Sequence, residues 1–83
     1  MWRAKIFVTL REGVLDPQGQ AVRSGLMSQG FKAVSDVRIG KYMEVTVEAT
    51  SIDEVSAMVR AMCERLLANP VMEDYHFILE EVQ

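Results

Sequence analysis

Few side chains in this sequence could do chemistry, and they do not cluster. His76 is the only histidine. It falls on a period-two segment, with Glu73, Asp74 and Glu80 nearby in sequence. A general base needs a pocket and a positioned partner. The spacing supplies neither, so His76 reads as a surface or interface residue. Cys63 is the only cysteine. No second cysteine stands at metal spacing and no histidine at motif spacing. It lies on the shoulder of an apolar helical stripe, one turn from Val59 and Met62, where a free thiol packs as a small apolar residue. The pairs Glu73-Asp74 and Glu80-Glu81 suggest a divalent cation, but such a site needs convergent oxygen ligands. These sit at the two ends of one strand. Of the six methionines, Met58 and Met62 fall on the same helical stripe and read as core filling rather than an adaptable binding surface.

The stretch Val14-Leu15-Asp16-Pro17-Gln18-Gly19 invites a phosphate-binding reading, because helix N-termini attract anions. It has no glycine-rich run and no lysine where a P-loop needs them, and Asp16 would repel an anion. A capped helix start explains Asp16, which accepts from free backbone N–H groups, and Pro17, whose missing N–H costs nothing at the first helical position. It does not explain Gln18 and Gly19. A glycine in the first turn costs up to about 1 kcal/mol against alanine. Close backbone approach by another chain would give Gly19 a purpose.

The elements that must hold these residues follow from periodicity. Ala4, Ile6, Val8 and Leu10 alternate with Arg3, Lys5, Phe7 and Thr9, giving a first strand over about Trp2 to Arg11. A helix follows from Asp16-Pro17, with a short stripe of Val22 and Leu26 beside Ala21 and Gly25. Gly30 suits the left-handed residue that closes a helix, with Phe31 folding back on Leu26. A second strand is expected over Val34 to Ile39 and a third over Met43 to Ala49, joined by a hairpin at Gly40-Lys41. A three-residue loop or a bulge aligns Val37 and Ile39 with Met43, Val45 and Val47 on one buried face, and sets Arg38 opposite Glu44. Ser51-Ile52-Asp53-Glu54 has capping-box spacing. It opens a second helix over Ile52 to Ala68 with a stripe of Ile52, Val55, Met58, Val59, Met62 and Leu66. Asn69-Pro70 ends it. A last strand runs over about Asp74 to Val82.

The order βαββαβ predicts an α+β, ferredoxin-like sandwich: a four-stranded antiparallel sheet with two helices on one face. The other face is left open, showing Phe7, Arg38, Glu44, His76 and Ile78 among polar neighbours. These form the expected self-association face. It spans roughly 400 Å² of plane, against about 800 Å² per partner in a standard interface, so loops must supply the rest.

The 83 residues form one expected domain, 1–83, with 49% apolar and 25% charged side chains. A chain this short has a thin core and benefits from burial against a partner. The net charge of −3, with nine scattered Lys and Arg, argues against nucleic acid. The single cysteine points to a reducing compartment, hence the cytoplasm. No segment reads as a signal peptide or a membrane span.

Three segments in register resemble one family. They are Gly13-Val14-Leu15-Asp16-Pro17-Gln18-Gly19, Asp36-Val37-Arg38-Ile39-Gly40-Lys41-Tyr42, and Leu66-Leu67-Ala68-Asn69-Pro70-Val71-Met72-Glu73-Asp74-Tyr75. Their order, spacing and the total length resemble the PurS family, the small subunits of phosphoribosylformylglycinamidine synthase. The resemblance implies a chain that is non-catalytic by itself and self-associates as a dimer or a higher homo-oligomer. It implies a place between a glutaminase subunit and an ATP-dependent synthetase subunit, assisting ammonia transfer in purine biosynthesis. It implies no cofactor on this chain, with ATP and Mg used by the synthetase. The residues expected to face partners or shape loops are Asp16, Pro17, Gln18, Gly19, Arg38, Gly40, Lys41, Asn69 and Pro70, since loops on rigid scaffolds carry recognition.

The competing reading is a regulatory small-molecule module, since similar sandwiches bind amino acids at dimer interfaces. An RNA-binding sandwich would need more aromatics on its central strands than Phe7. An acylphosphatase-like enzyme would need a basic loop after the first strand, where Glu12 to Asp16 is acidic.

Overall fold

A computed structural model describes residues 1–82 of the chain. The elements are β1 (Trp2–Leu10), α1 (Pro17–Ser28), β2 (Gly40–Val47), α2 (Ile52–Met62) and β3 (Glu73–Glu81). A π-helical turn over Cys63–Leu67 continues directly from α2.

The fold is α+β, with two helices and a three-stranded antiparallel sheet in the order β2-β1-β3. Alternation along β1 decides which face is buried. Ala4, Ile6 and Val8 are fully buried, and register brings Met43 and Val45 on one side and Phe77 and Leu79 on the other into the same layer. Over this layer lie Val55, Val59 and Cys63, completing the core. Ser51 caps α2 by accepting from Glu54 N at 3.2 Å, and the Glu54 carboxylate reaches back to Thr50. The expected box is present, with its return arm one residue earlier than the cap itself.

Four expectations change. Residues 31–39 contain no strand, so the sheet within the chain has three strands, not four. Lys32 and Ala33 form a turn, and residues 34–39 follow without regular structure and find no ladder partner. Gly40 and Lys41 are consequently not a hairpin; they open β2 and pair with Thr9 and Val8. Gly40 is required there because a Cβ would collide with the carbonyl oxygen of Val8. Arg38 lies before the strand rather than opposite Glu44. Finally, Leu66 belongs to the predicted stripe of the second helix but is 83% exposed. The π turn adds a residue to the helical repeat, seen where Ala68 N donates to Cys63 O at 3.0 Å. The inward direction thereby passes from Leu66 to Leu67 and Ala68.

The helix α1 is built as its sequence implies. Asp16 caps it, Pro17 occupies the first turn, and Gly30 takes a left-handed φ of 100°. Phe31 N donates to Leu26 O at 3.0 Å and Gly30 N to Met27 O at 3.1 Å, which is a Schellman ending.

Candidate functional site

Three regions bring the predicted positions together: the open face of the sheet, the base of α1, and the loop that precedes β3.

On the open face, strand register makes rows. Phe7 lies opposite Tyr42 and His76, and Lys5 opposite Glu44 and Ile78. The Phe7 ring stacks on His76 with centroids 4.7 Å apart and meets Tyr42 at 5.0 Å. Of the five residues expected on this face, Phe7, Glu44, His76 and Ile78 are there; Arg38 is not. Tyr42 was missed, because a hairpin placed at Gly40-Lys41 hid the strand that carries it. Next to the aromatic row is a charge network. Arg3 Nη1 donates to Glu80 Oε1 at 2.8 Å and Lys5 Nζ lies 3.2 Å from Glu80 Oε2. The hydrogen bonds from Lys5 and then Arg3 hold the Glu80 carboxyl below its ordinary pKa. Tyr42 Oη donates to Glu44 at 2.7 Å, and this bond raises the phenol's pKa. These charges are partly exposed and solvent-screened, so they set orientation more than stability.

At the base of α1, Asp16 does more than cap. Its Oδ1 accepts from Gly19 N and its Oδ2 from Ile39 N, both at 2.9 Å. These two bonds, to Ile39 first, hold its carboxyl below the ordinary value. Gly19 is buried, and a Cβ there would collide with the Val37 carbonyl oxygen. The close approach expected at Gly19 therefore exists, but it is made by the same chain and not by another. Pro17 and Gln18 are exposed beside it. Arg23 Nε donates to Ser35 O at 3.1 Å, tying residues 35–39 to α1. Arg38 lines the polar cleft of about 440 Å³ that this crossing leaves, with Arg11, Glu12 and Asp36 on the same wall. Its mix of cations and carboxylates is near charge balance.

The loop before β3 explains Asn69 and Pro70 as loop-shaping residues. Asn69 Oδ1 accepts from Val71 N at 2.9 Å, and Asn69 N donates to Glu73 Oε1 at 2.7 Å. Pro70 O accepts from the Arg11 guanidinium, and Arg11 N donates to Met72 O at 2.8 Å. Lys41 reaches the same place, 3.8 Å from Glu73. Arg11 carries no motif spacing and was invisible in the sequence; its role arises only where β1 ends against this loop.

Among the described residues, no group of three His, Cys, Asp or Glu side chains converges as metal ligands. Cys63 is buried, and desolvation raises its thiol pKa, so it is a poor nucleophile in the folded state. His76 stacks on an aromatic ring at an exposed strand edge, a setting that holds no acid–base pair. No helix is long and apolar enough to cross a membrane among the described residues.

Residues 3–81 match the family described as PurS: Phosphoribosylformylglycinamidine (FGAM) synthase. The chain is 52% identical to the Phosphoribosylformylglycinamidine synthase subunit PurS of Bacillus subtilis, over 99% of its own length and 96% of that protein's. Over 92% of this chain and 76% of the other, it is 51% identical to the PurS subunit of Synechocystis. Among solved structures, PurS of Methanocaldococcus jannaschii superposes with a TM-score of 0.89 at 34% identity, covering all of both chains. A chain in the structure of PurLQS from Thermotoga maritima superposes with a TM-score of 0.87 at 32% identity, covering 95% of this chain and 96% of that one.

Proposed function

The chain belongs to the PurS family and is a small subunit of phosphoribosylformylglycinamidine synthase in purine biosynthesis; within that multi-subunit complex, we propose that it is a non-catalytic, self-associating scaffold between the glutaminase and the ATP-dependent synthetase. The observation that carries the reading is a chain whose specific residues are spent on shaping surfaces. Asp16, Gly19, Asn69 and Arg11 fix loop geometry, while the open sheet face and α1 remain uncovered.

Glutamine hydrolysis would supply ammonia on one partner. On the other, the ammonia nitrogen would replace the amide oxygen of formylglycinamide ribonucleotide, with ATP and Mg driving removal of that oxygen as phosphate. Ammonia loses to water whatever is not transferred directly, so holding the two centres in fixed relation is itself a contribution to rate. This chain binds no cofactor in that scheme. A matching chain within PurLQS supports a place in such an assembly.

The test is reconstitution. With glutaminase, synthetase and this chain mixed, amidination is measured with glutamine and separately with ammonium as nitrogen source. Omitting this chain should suppress the glutamine-dependent rate far more than the ammonium-dependent rate. If omission alters neither, or if this chain alone turns over substrate, the reading fails.

A further inference from the structure

Two surface clefts differ in how their charges are spent. The smaller, about 220 Å³, borders Cys63 and is lined by Arg11, Glu73 and Asp74. Each of these has a partner. Arg11 holds Pro70 O and lies 3.4 Å from Asp74, and Glu73 accepts from Asn69 N. The larger is the cleft of about 440 Å³ between the loop that precedes α1 and residues 35–38. Small-molecule sites span roughly 300–1,000 Å³, so its size suits a metabolite.

The charges of the larger cleft are unspent. Glu12, Asp36 and Arg38 line it, and none of the three makes an ion pair among the described residues. Arg23 uses only its Nε, on Ser35 O at 3.1 Å, which leaves both Nη groups. Two cations and two anions therefore border one space without pairing with each other. The walls are fixed from beneath. Asp16 bridges Gly19 N and Ile39 N, both at 2.9 Å, and Gly19 admits the Val37 carbonyl. A site whose walls are set before binding loses less order when it is filled.

The sign of the charges selects the ligand. Glu12, Asp36 and the Asp16 carboxylate repel a simple anion, and the guanidinium groups repel a simple cation. A dipolar molecule meets both sets. Guanidinium forks match a carboxylate in shape and charge, and carboxylates accept from an ammonium. Ser35 and Gln20, also on the lining, carry a hydroxyl and an amide that donate and accept. We propose that this cleft takes a free α-amino acid with a polar side chain, its carboxylate on Arg23 and Arg38 and its ammonium on Glu12 and Asp36. Glu12, Asp36 and Arg38 are exposed, so solvent screening keeps the binding weak, with a dissociation constant of about 0.1–1 mM. The scaffold role proposed above makes no use of the cleft, so either reading can fail without the other.

The test titrates nitrogen-15-labelled full-length protein with L-glutamine and follows backbone amide shifts. Binding predicts saturable shifts at residues 12–16 and 35–38. Three controls separate the charges. N-acetyl-L-glutamine lacks the ammonium and L-glutaminamide lacks the carboxylate; each should bind about tenfold more weakly. Inorganic phosphate should not saturate the same amides. Arg38→Gln and Asp36→Asn should each weaken L-glutamine about tenfold while amides in β1 and α2 keep the shifts of the parent. No saturable shift by about ten times the expected dissociation constant overturns the proposal, as do shifts confined to other residues. Equal binding of L-glutamine and both analogues means that the charges are not read, and overturns it too. So does unchanged affinity in both variants.

Discussion

Replacing Gly19 with alanine places a methyl group where the Val37 carbonyl oxygen already lies, and 2.8 Å from Asp16 Oδ2. The carbonyl belongs to backbone, so the chain around Val37 must itself retreat rather than a flexible side-chain tip. Inserting a methyl into an occupied site costs about 1–3 kcal/mol. Alanine returns less than about 1 kcal/mol through its higher helix propensity. The net expectation is a loss of about 1–2 kcal/mol, against the usual view that Gly→Ala in a helix stabilises. That retreat also breaks the bond from Ile39 N to Asp16. Two assays read this at fixed protomer concentration, since oligomerisation couples to stability. The urea midpoint should fall with little change in slope, and the Ile39 amide should lose protection in hydrogen exchange while core amides such as that of Val59 move only with global stability. Equal or higher stability together with unchanged Ile39 protection would refute the reasoning.

Other outcomes follow from the same geometry. Ile6→Ala empties a fully buried position under α2 and should cost about 2–5 kcal/mol, read by urea unfolding. Arg11→Ala removes the guanidinium that holds the Pro70 carbonyl; residues 69–73 should become readily cleaved by protease while the sheet amides keep their protection. Glu80 and Asp16 both have carboxyl pKa values held below the ordinary 4.5 and 3.8. Their contributions are complete above those ordinary values and are lost as pH falls through the lower folded ones. Unfolding midpoints should therefore drop on acidification below about pH 4.5, and Glu80→Gln should flatten part of that slope. The Cys63 thiol should react with an aromatic disulfide reagent only as fast as the core opens, and promptly in denaturant.

Local signals were legible and long-range pairings were not. The cap at Asp16, the Schellman ending at Gly30 and the Ser51 cap all depend on residues within a turn of one another, and the structure contains each. The inward set on β1, and the polar face behind it, follow from period two. The segment Val34 to Ile39 alternates like a strand, yet a ladder needs a partner that local spacing cannot name. Mistaking it for a paired strand moved the hairpin to Gly40-Lys41, misplaced Arg38 and hid Tyr42. The helical stripe ran on to Leu66 because 3.6-residue periodicity cannot anticipate a π turn. Gly19 was marked as unexplained by capping, and rightly; the approaching backbone is the chain's own. The loop-shaping part of the site, Asn69 and Pro70, came from turn chemistry. The Arg11 contact that locks it spans the sheet and left no mark in the sequence.

The account turns on a chain that self-associates through surfaces its own residues leave open, and the state of association answers that directly. Sedimentation equilibrium of the isolated protein at micromolar concentration should return a multiple of the 9.4 kDa chain mass, two copies or more. A single 9.4 kDa species that persists as concentration rises would contradict it.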